Sequence, residues 1–331
     1  MSHAFDIDGQ ISRRGFLGGA AAVAAGAYAA TTGATPADAK PAPARPRPDS
    51  TINGVRLGIN APYSFRGLFP SAEETLQAMV ELGLSWVELR GPAIEGYAGA
   101  PAELLATNGS AEVRRERAIE LRRWRLAQSM DKYRELRRVY EDAGVYIQLV
   151  KFPDLTADMD DDEAAYIFDV AKALGAEAIT TEPPVSHAKR LGEIATWHRV
   201  MIGYHGHAGG TREQFGQDGA WEQTFFYSAF NGANVDIGHY IAGNNQSPEP
   251  FIREYAHRIT NLHIKDRMMN MGPNVPWGQG DTPVAQILRM MRDEGYRFQA
   301  TIEMEHPIPE GSSVMEELAK CIAFAREALN A

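Results

Sequence analysis

The chain has 331 residues and a near-average globular composition, with 44% hydrophobic residues, enough for a sizeable core in one large domain or two small ones. Its formal net charge of -10 argues against a nucleic-acid partner, because backbone neutralisation needs surplus lysine and arginine. The single cysteine, Cys321, excludes an internal disulfide, so packing must supply the stability.

The first 50 residues indicate targeting rather than folding. Residues 12–17 read Ser-Arg-Arg-Gly-Phe-Leu, an alanine and glycine stretch follows, and residues 37–39 form an Ala-Asp-Ala cleavage pattern. We interpret residues 1–39 as a twin-arginine signal peptide, which predicts passage through the twin-arginine export machinery to the periplasm. A membrane anchor is disfavoured because the apolar run is shorter than the ~20 residues that span a bilayer. Residues 40–53 are predicted to form a proline-rich linker.

From residue 54 to residue 331, β-rich segments alternate with amphipathic helical segments, as in βα units around a parallel sheet. Strands are predicted at 55–60, 85–90, 145–151, 176–182, 200–205, 234–239, 259–265 and 298–305. Helices are predicted at 71–82, 111–143, 161–174, 187–199, 211–230, 250–257, 282–294 and 313–329. Eight units close most economically into a barrel, because an open sheet leaves edges to protect. The predicted fold is therefore α/β, a single (β/α)8 TIM barrel.

Three local features refine this prediction. The nine arginines at positions 114–138 alternate with acidic residues at helical spacing, which is typical of a solvated helix face. Asp281 is expected to cap the helix that begins near Pro283. Segments 91–109 and 272–280 are rich in glycine and proline and are expected to form loops over the barrel mouth.

Metal-binding residue types stand at the ends of successive predicted strands. They are Glu182, His205, His207, Asp236, His239, His263 and Glu303. Because parallel strands of a barrel end at one mouth, these side chains can share one divalent cation. His205 and His207 share a face of their strand, whereas Asp236 and His239 are three apart, which places His239 in the loop above. A mixture of oxygen and nitrogen ligands suits manganese, zinc, iron or cobalt rather than calcium.

Single residues in this group carry different weight. Glu303 lies in an apolar strand, and burying a carboxylate costs several kcal/mol unless a cation or hydrogen bonds offset it. Glu88 and Arg90 end the second strand and form either a hydroxyl clamp for the substrate or a salt bridge on the rim. Trp277 either stacks on a sugar ring or covers the core.

The motifs resemble those of a known family. They are Tyr204-His205-Gly206-His207, Asp236-Ile237-Gly238-His239, His263-Ile264-Lys265-Asp266, Gly278-Gln279-Gly280 and Ile302-Glu303. Their order and spacing over residues 55–330 resemble the sugar phosphate isomerase/epimerase family with the xylose isomerase-like barrel. Members include ketose 3-epimerases, inosose dehydratases, and lyases or hydratases that act on 3-keto sugars.

The resemblance implies one divalent metal held by Glu, Asp, His and Glu from the last four strands. Asp236, His263 and Glu303 match the last three positions. The fifth strand offers His205 instead of a glutamate, and the nearest glutamate is Glu182 on the fourth strand, so either residue can be the first ligand. A two-carboxylate 3-epimerase is therefore less expected. Arg267 resembles a substrate-contacting residue of the family, and Glu88, His239 and Trp277 complete the expected substrate contacts.

These residues predict proton removal next to the carbonyl of a keto sugar or cyclitol, with Glu303, Glu182 or His207 as the base. Lys265 is expected to neutralise developing charge or to protonate a leaving group. Reprotonation gives isomerisation or epimerisation, and loss of a substituent gives lyase or dehydratase chemistry of the 3-keto-glycoside or inosose type. Manganese is favoured because a protein exported in the folded state can acquire its metal in the cytoplasm.

Two other classes of function compete with this prediction. One is a sugar-binding barrel without catalysis. The other is a phosphodiesterase acting on abasic DNA, which is disfavoured by the acidic charge balance. A homo-oligomer is compatible with the sequence.

Overall fold

The computed structural model describes residues 47–209, 213–216 and 219–331. The predicted signal peptide and the first residues of the predicted linker lie outside the described residues. The end of the linker range packs on the barrel, because Ser50 is buried and β1 (Thr51–Ile52) pairs antiparallel with β2 (Val55–Ala61). None of the helices in the described ranges is long and apolar enough to cross a membrane.

Eight parallel strands form a closed barrel. They are β2, β3 (Trp86–Arg90), β4 (Tyr146–Lys151), β5 (Ala178–Thr181), β6 (Met201–His205), β7 (Asn231–Asp236), β8 (Ile259–Ile264) and β11 (Gln299–Ile302). Neighbours pair in chain order, and β2 closes the sheet by pairing with both β11 and β3. The loop after β8 carries a short antiparallel pair, β9 (Asp266–Arg267) and β10 (Asn274–Val275). The predicted single (β/α)8 TIM barrel is confirmed.

Helices surround the barrel, and most of them bury apolar residues against it. They are α1 (Ala72–Leu82), α2 (Gly91–Tyr97), α3 (Ala102–Leu105), α4 (Ala111–Leu126), α5 (Asp131–Asp142), α6 (Asp161–Leu174), α7 (Ala188–His198), α8 (Glu222–Phe225), α9 (Ile237–Asn244), α10 (Glu249–Tyr255), α11 (Val284–Asp293) and α12 (Val314–Asn330). The start of α1 shows the local cause, a reciprocal capping box of Ser71 and Glu74. Its end shows another, Gly83 with φ 71°, a left-handed closing residue.

Two predicted elements, the sixth strand and the fifth helix, are wrong. The strand predicted at 234–239 lies three residues earlier, because Asp236 ends β7 and caps α9 by accepting a hydrogen bond from the backbone N–H of His239 at 2.6 Å. The apolar Val235 and Ile237 thus belong to two different elements. The helix predicted at 211–230 is also wrong, since the described residues of that range hold only the four-residue α8.

The predicted long helix at 111–143 is two helices, α4 and α5. They bury different amounts of surface: α4 buries only Arg125, whereas α5 buries Tyr133, Leu136 and Tyr140. Most of the arginines are solvated as predicted, but Arg125 is an exception. Its guanidinium contacts three carboxylates, those of Glu95 at 2.7 Å, Asp154 at 2.7 Å and Glu163 at 2.9 Å.

Three further local features were unexpected. The predicted loop at 91–109 contains α2 and α3. Asp281 does not cap α11, because its carboxylate accepts a hydrogen bond from the backbone of Met269 at 2.8 Å. On α12, Glu317 accepts from Lys320 and Ser312, both at 2.6 Å, and these contacts, with Lys320 first, lower the pKa of its carboxyl to about 2.

Candidate metal centre and active site

Four side chains converge at the mouth of the barrel. His205 ends β6, Asp236 ends β7, His239 lies in the first turn of α9, and Glu303 follows β11. One ligand atom from each of the four lies within 4.8 Å of the others. We call this group the mouth cluster. A second, overlapping group joins His205 and His239 to His207 within the same distance.

The mouth cluster has the properties of a divalent-cation site. The ring of His205 is buried, and its Nδ1 atom has no hydrogen-bond partner. Burial, with Lys151 as the next contribution, holds the pKa of His205 well below its usual value, so the ring is neutral and keeps a lone pair. Two imidazoles and two carboxylates suit manganese, zinc, iron or cobalt. The residues present therefore fit a single divalent ion.

Lys265 lies among the carboxylates of this cluster. Its ammonium is 2.9 Å from Asp236, 2.8 Å from Glu303 and 2.5 Å from Glu305. Burial opposes the charge, but the three carboxylates outweigh it and raise the pKa of Lys265. Three ammonium protons satisfy three carboxylates, so none remains for the Nε2 atom of His239 at 3.0 Å. A cation bound by Asp236 and Glu303 must share both ligands with this ammonium.

The two carboxylates of the mouth cluster differ in their ionisation. Burial raises the pKa of Asp236 to about 7, although Lys265 opposes this. Burial acts in the same direction on Glu303, but His263 and Lys265 outweigh it and hold its pKa well below the usual range. Asn60 donates a further hydrogen bond to Glu303 at 2.8 Å. Glu303 is therefore an anion whose oxygens already contact Lys265, His263 and Asn60. This favours a role as a metal ligand over a role in proton transfer.

Arg267 positions His239. Its Nη1 atom lies 2.6 Å from Nδ1 of the imidazole, and its Nε atom donates to the carbonyl of Gly272 at 2.8 Å. Because a guanidinium only donates, Nδ1 of His239 accepts, and the proton of the neutral ring sits on Nε2. Binding of a cation through Nε2 would require this contact to break. His205, Asp236 and Glu303 need no such change.

His263 and Glu88 lie one layer deeper, inside the barrel. Both are fully buried, and Nε2 of His263 contacts the Glu88 carboxylate while Nδ1 lies 3.1 Å from Glu303. Burial opposes charging of His263, but Glu303 and Glu88 outweigh it and raise its pKa to about 9. Thr180 and Asn261 also contact Glu88. In this state His263 is an imidazolium without a lone pair, and it supports Glu303 from below.

A second group stands on the opposite side of the mouth. Glu182 contacts Lys151 at 2.6 Å and Nε2 of His207 at 3.4 Å. Although burial opposes it, His207 and Lys151 hold the pKa of Glu182 below its usual range. The ring centroid of His207 lies 4.6 Å from that of His205 and 5.1 Å from that of His239. A partly exposed imidazole backed by a carboxylate therefore faces the mouth cluster.

A family model described as "Xylose isomerase-like TIM barrel" matches residues 76–324. The chain belongs to this family. Solved barrels of similar structure include a sugar phosphate isomerase/epimerase from Parabacteroides distasonis, 17% identical, covering 82% of this chain and 93% of that chain, with a TM-score of 0.53. No curated protein matches the chain.

Two further solved structures show the same likeness. The probable 3-DHS dehydratase AsbF from Bacillus anthracis is 14% identical, with 82% of this chain and 97% of that chain covered and a TM-score of 0.54. The IolI protein, with a binding zinc atom, is 13% identical, with 83% of this chain and 98% of that chain covered and a TM-score of 0.57. At these identities the likeness shows the fold alone.

In this xylose isomerase-like barrel, the structure brings together most of the residues expected at the mouth. Within the described ranges, Glu182 and His263 belong to neither group of potential ligands. Trp277 lies elsewhere: it packs edge-on against Phe324 of α12, with ring centroids 5.9 Å apart. Glu88 forms neither a substrate clamp on the rim nor a salt bridge with Arg90, because it points into the barrel.

Sequence reasoning missed four residues of the site, namely Lys151, Asn60, Tyr63 and Glu305. Lys151 and Asn60 are the last residues of two predicted strands, but their side chains are not typical ligands of manganese, zinc, iron or cobalt. Glu305 is two residues after Glu303, so the period of two that paired His205 with His207 also predicts it. Tyr63, which donates to Glu305 at 2.6 Å, begins the short 3-10 helix Tyr63–Phe65 after β2 and has no comparable signal.

Proposed function

We propose that this protein is a divalent-metal-dependent enzyme that moves a proton next to the carbonyl of a keto sugar or cyclitol, as an isomerase or epimerase. The observation that carries the proposal is the mouth cluster, in which two neutral imidazoles and two carboxylates lie within 4.8 Å of one another beside Lys265. His205, Asp236 and Glu303 would hold the ion, with His239 as a fourth ligand. The ion, when bound, would acidify the hydrogen on the carbon next to the carbonyl.

His207 is the best-placed proton carrier. It is partly exposed at the mouth, whereas Glu303 is saturated by Lys265, Asn60 and His263. Glu182 is a positioning residue, because its carboxylate contacts Nε2 of His207 and orients the ring. Its own ionisation is fixed by Lys151, so it remains an anion while His207 exchanges the proton.

Lys265 supports either fate of the resulting enediolate. Its ammonium compensates negative charge that develops on the substrate oxygen, whereas the three carboxylates around it make it a weak acid. The second candidate function is therefore a lyase or dehydratase of the 3-keto-glycoside or inosose type. The buried ammonium favours it, since a leaving hydroxyl or glycosyl oxygen also develops negative charge that the ammonium can stabilise. The third candidate is a sugar-binding barrel without turnover.

The proposal also includes export and metal identity. The paired arginines of residues 12–17 and the Ala-Asp-Ala at 37–39 support a twin-arginine signal peptide over residues 1–39, a linker that starts at residue 40 and a periplasmic location. Manganese is proposed over zinc, iron or cobalt, because export in the folded state permits metal loading before exposure to copper and zinc. Assembly into a homo-oligomer is part of the proposal and is testable by light scattering.

Proton–deuterium exchange tests the activity. Keto sugars and ketocyclitols are incubated with the manganese-loaded protein in heavy water and followed by NMR. Incorporation of deuterium into a sugar that keeps all its substituents indicates an isomerase or epimerase. Incorporation coupled to loss of a hydroxyl or glycosyl group indicates a lyase. His207→Asn should slow exchange roughly 100-fold or more, as loss of a general base does. His257→Asn, on the opposite end of the barrel before β8, is the matched control. No exchange with any substrate, in a protein that binds the sugars, favours the binding barrel.

A further inference from the structure

A cavity of about 670 Å³ opens beside the mouth cluster. Glu305 joins the two, because it lies on the cavity wall and its carboxylate contacts Lys265 at 2.5 Å. The volume lies in the range of sites that take drug-sized ligands, which are larger than a single hexose. A sugar whose carbonyl lies at the mouth cluster therefore has room in this cavity for a second group that is attached to it.

The wall of this cavity presents mainly apolar surface. Its apolar side chains come from the connection between β2 and α1, from the first turn of α2 and from the residue after Glu303, and they are Pro62, Tyr63, Pro70, Pro92 and Met304. Tyr63 is 43% exposed, which is high for a large apolar ring. Exposed apolar surface that is gathered in one place beside a site is typical of a ligand-binding groove. The group that this cavity accommodates is therefore apolar.

The polar contacts of the wall favour an aromatic ring over an alkyl chain. The guanidinium of Arg90 lies over the ring of Tyr63, 5.0 Å from its centroid. The ring is held at its other end, because the Tyr63 hydroxyl donates to Glu305 at 2.6 Å. A flat ring can join this arrangement through the Tyr63 ring or through the guanidinium. A flexible chain gains neither contact and loses more rotational freedom on binding.

Lys265, where the cavity meets the mouth cluster, gives a chemical reason for the same choice. Its three ammonium protons are already engaged by the carboxylates of Asp236, Glu303 and Glu305. In the lyase form of the reaction, a base takes the proton next to the carbonyl, a carbon–carbon double bond forms, and the electron pair of the carbon–oxygen bond leaves with the aglycone oxygen. A phenol has a pKa of about 10, as tyrosine has, and is a far stronger acid than an alkyl alcohol, so a phenolate leaves with less help from a proton donor.

We propose that this cavity binds an aromatic aglycone, so that the substrate class is an aryl glycoside whose sugar ring carries the keto group. The proposal rests on the proposed function for the sugar end of the substrate. It applies to both forms of that function, because the aglycone anchors the sugar in either reaction and is the leaving group in the lyase reaction. The cavity thus discriminates between aryl glycosides and free sugars.

Isothermal titration calorimetry on the full manganese-loaded protein tests this assignment. The probes are the methyl, n-hexyl and phenyl β-D-glucopyranosides and the corresponding galactopyranosides. In at least one sugar series the phenyl glycoside should bind about tenfold or more tightly than the methyl glycoside, because burial of the ring removes additional apolar surface from water. Equal binding of phenyl and methyl glycosides, or no binding of either phenyl glycoside, overturns the proposal. Tightest binding of the hexyl glycosides also overturns it, because the cavity then selects apolar area rather than a ring.

Variants on two sides of the cavity test the contact with the ring. Tyr63→Ser should reduce the advantage of the phenyl over the methyl glycoside about fivefold or more, whereas Tyr63→Phe, which keeps the ring, should retain it. Thr107→Trp places bulk in the cavity from its exposed rim and should also reduce the advantage. Tyr227→Ser, at a tyrosine that is 50% exposed after α8, is the matched control. Thermal unfolding verifies that each variant is folded, and retention of the full advantage in both Tyr63→Ser and Thr107→Trp refutes the assignment.

The probes separate this assignment from the proposed function. They carry no keto group, so their binding needs no turnover. A negative exchange experiment counts against the proposed function and leaves the preference for the phenyl glycoside measurable. Exchange without a preference for the phenyl glycoside removes the aromatic aglycone alone.

Discussion

Replacement of Lys265 by methionine tests how the mouth cluster is held together. Methionine keeps much of the length and the apolar stem of lysine but removes the ammonium. Asp236, Glu303 and Glu305 then lose the positive charge that lies 2.9, 2.8 and 2.5 Å from them. Two of these carboxylates are buried, so their charge has no compensation from water.

The expected loss of stability is large. Removing one partner of a buried ion pair costs about 3–5 kcal/mol, because the remaining charge is left buried without a partner. A divalent ion can replace the missing charge, and at 100 times its dissociation constant it contributes about 2.7 kcal/mol. The Lys265 ammonium competes with the metal ion for Asp236 and Glu303, so its removal should also tighten metal binding at least tenfold, or about 1.4 kcal/mol. This gain is small beside the Coulomb energy between a metal ion and an ammonium that share two ligands.

The assay is urea unfolding of wild type and Lys265→Met, each stripped of metal and then titrated with Mn²⁺. The stripped variant should lose about 3–5 kcal/mol of unfolding free energy, and manganese should restore more stability to the variant than it adds to the wild type. Lys189→Met, exposed on α7, is the control and should behave as wild type. Metal binding that is no tighter in Lys265→Met than in wild type would show that the ammonium and the ion do not share ligands.

Three other predictions follow from single contacts. His205→Ala should lose the bound ion, measured by metal analysis after gel filtration, whereas Glu182→Ala should retain it; loss of metal in Glu182→Ala alone would reverse the ligand assignment. Arg125→Leu should lower the unfolding free energy by about 3–5 kcal/mol because it strands buried Glu95, while exposed Arg123→Leu should change it by less than about 1 kcal/mol; equal effects would contradict this. The pKa of Glu317 is about 2 in the folded protein, below its ordinary 4.5, so its stabilisation is present above about pH 4.5 and is lost as the pH falls towards 2. Glu317→Gln should therefore have a lower melting temperature than wild type at pH 7, with a gap that closes towards pH 2; a gap independent of pH would refute the electrostatic cause.

The alternation of β-rich and helical segments was sufficient to predict the barrel, because each of its eight strands is a short run bounded by turn residues. The sixth unit shows where this reasoning fails. Asp236 has two local roles, the end of β7 and the cap of α9, and an apolar run that crosses such a joint gives no signal of the change. The break between α4 and α5 was missed for a related reason, because charge spacing does not reveal that Arg125 is buried.

The sequence was sufficient to predict those site residues whose position depends only on the end of a single strand. His205, Asp236 and Glu303 lie where the strand ends placed them. The layer below was not predictable, because Glu88 and His263 are 175 residues apart in sequence and meet only across the barrel. There each stabilises the ionised form of the other. Lys265 was predicted as a catalytic group, but its contact with three carboxylates depends on distances that no sequence pattern contains. Trp277 was misleading because a loop tryptophan packs equally well on a helix or over a ligand.

Metal analysis of the purified wild-type protein tests the central claim most directly. The protein is purified without a refolding step and is dialysed in separate samples against manganese, zinc, iron and cobalt. Elemental analysis should then find one divalent ion per chain in the wild type and none in the His205→Ala and Asp236→Ala variants. Wild-type protein that binds no divalent ion, or that keeps its ion in both variants, would contradict the account.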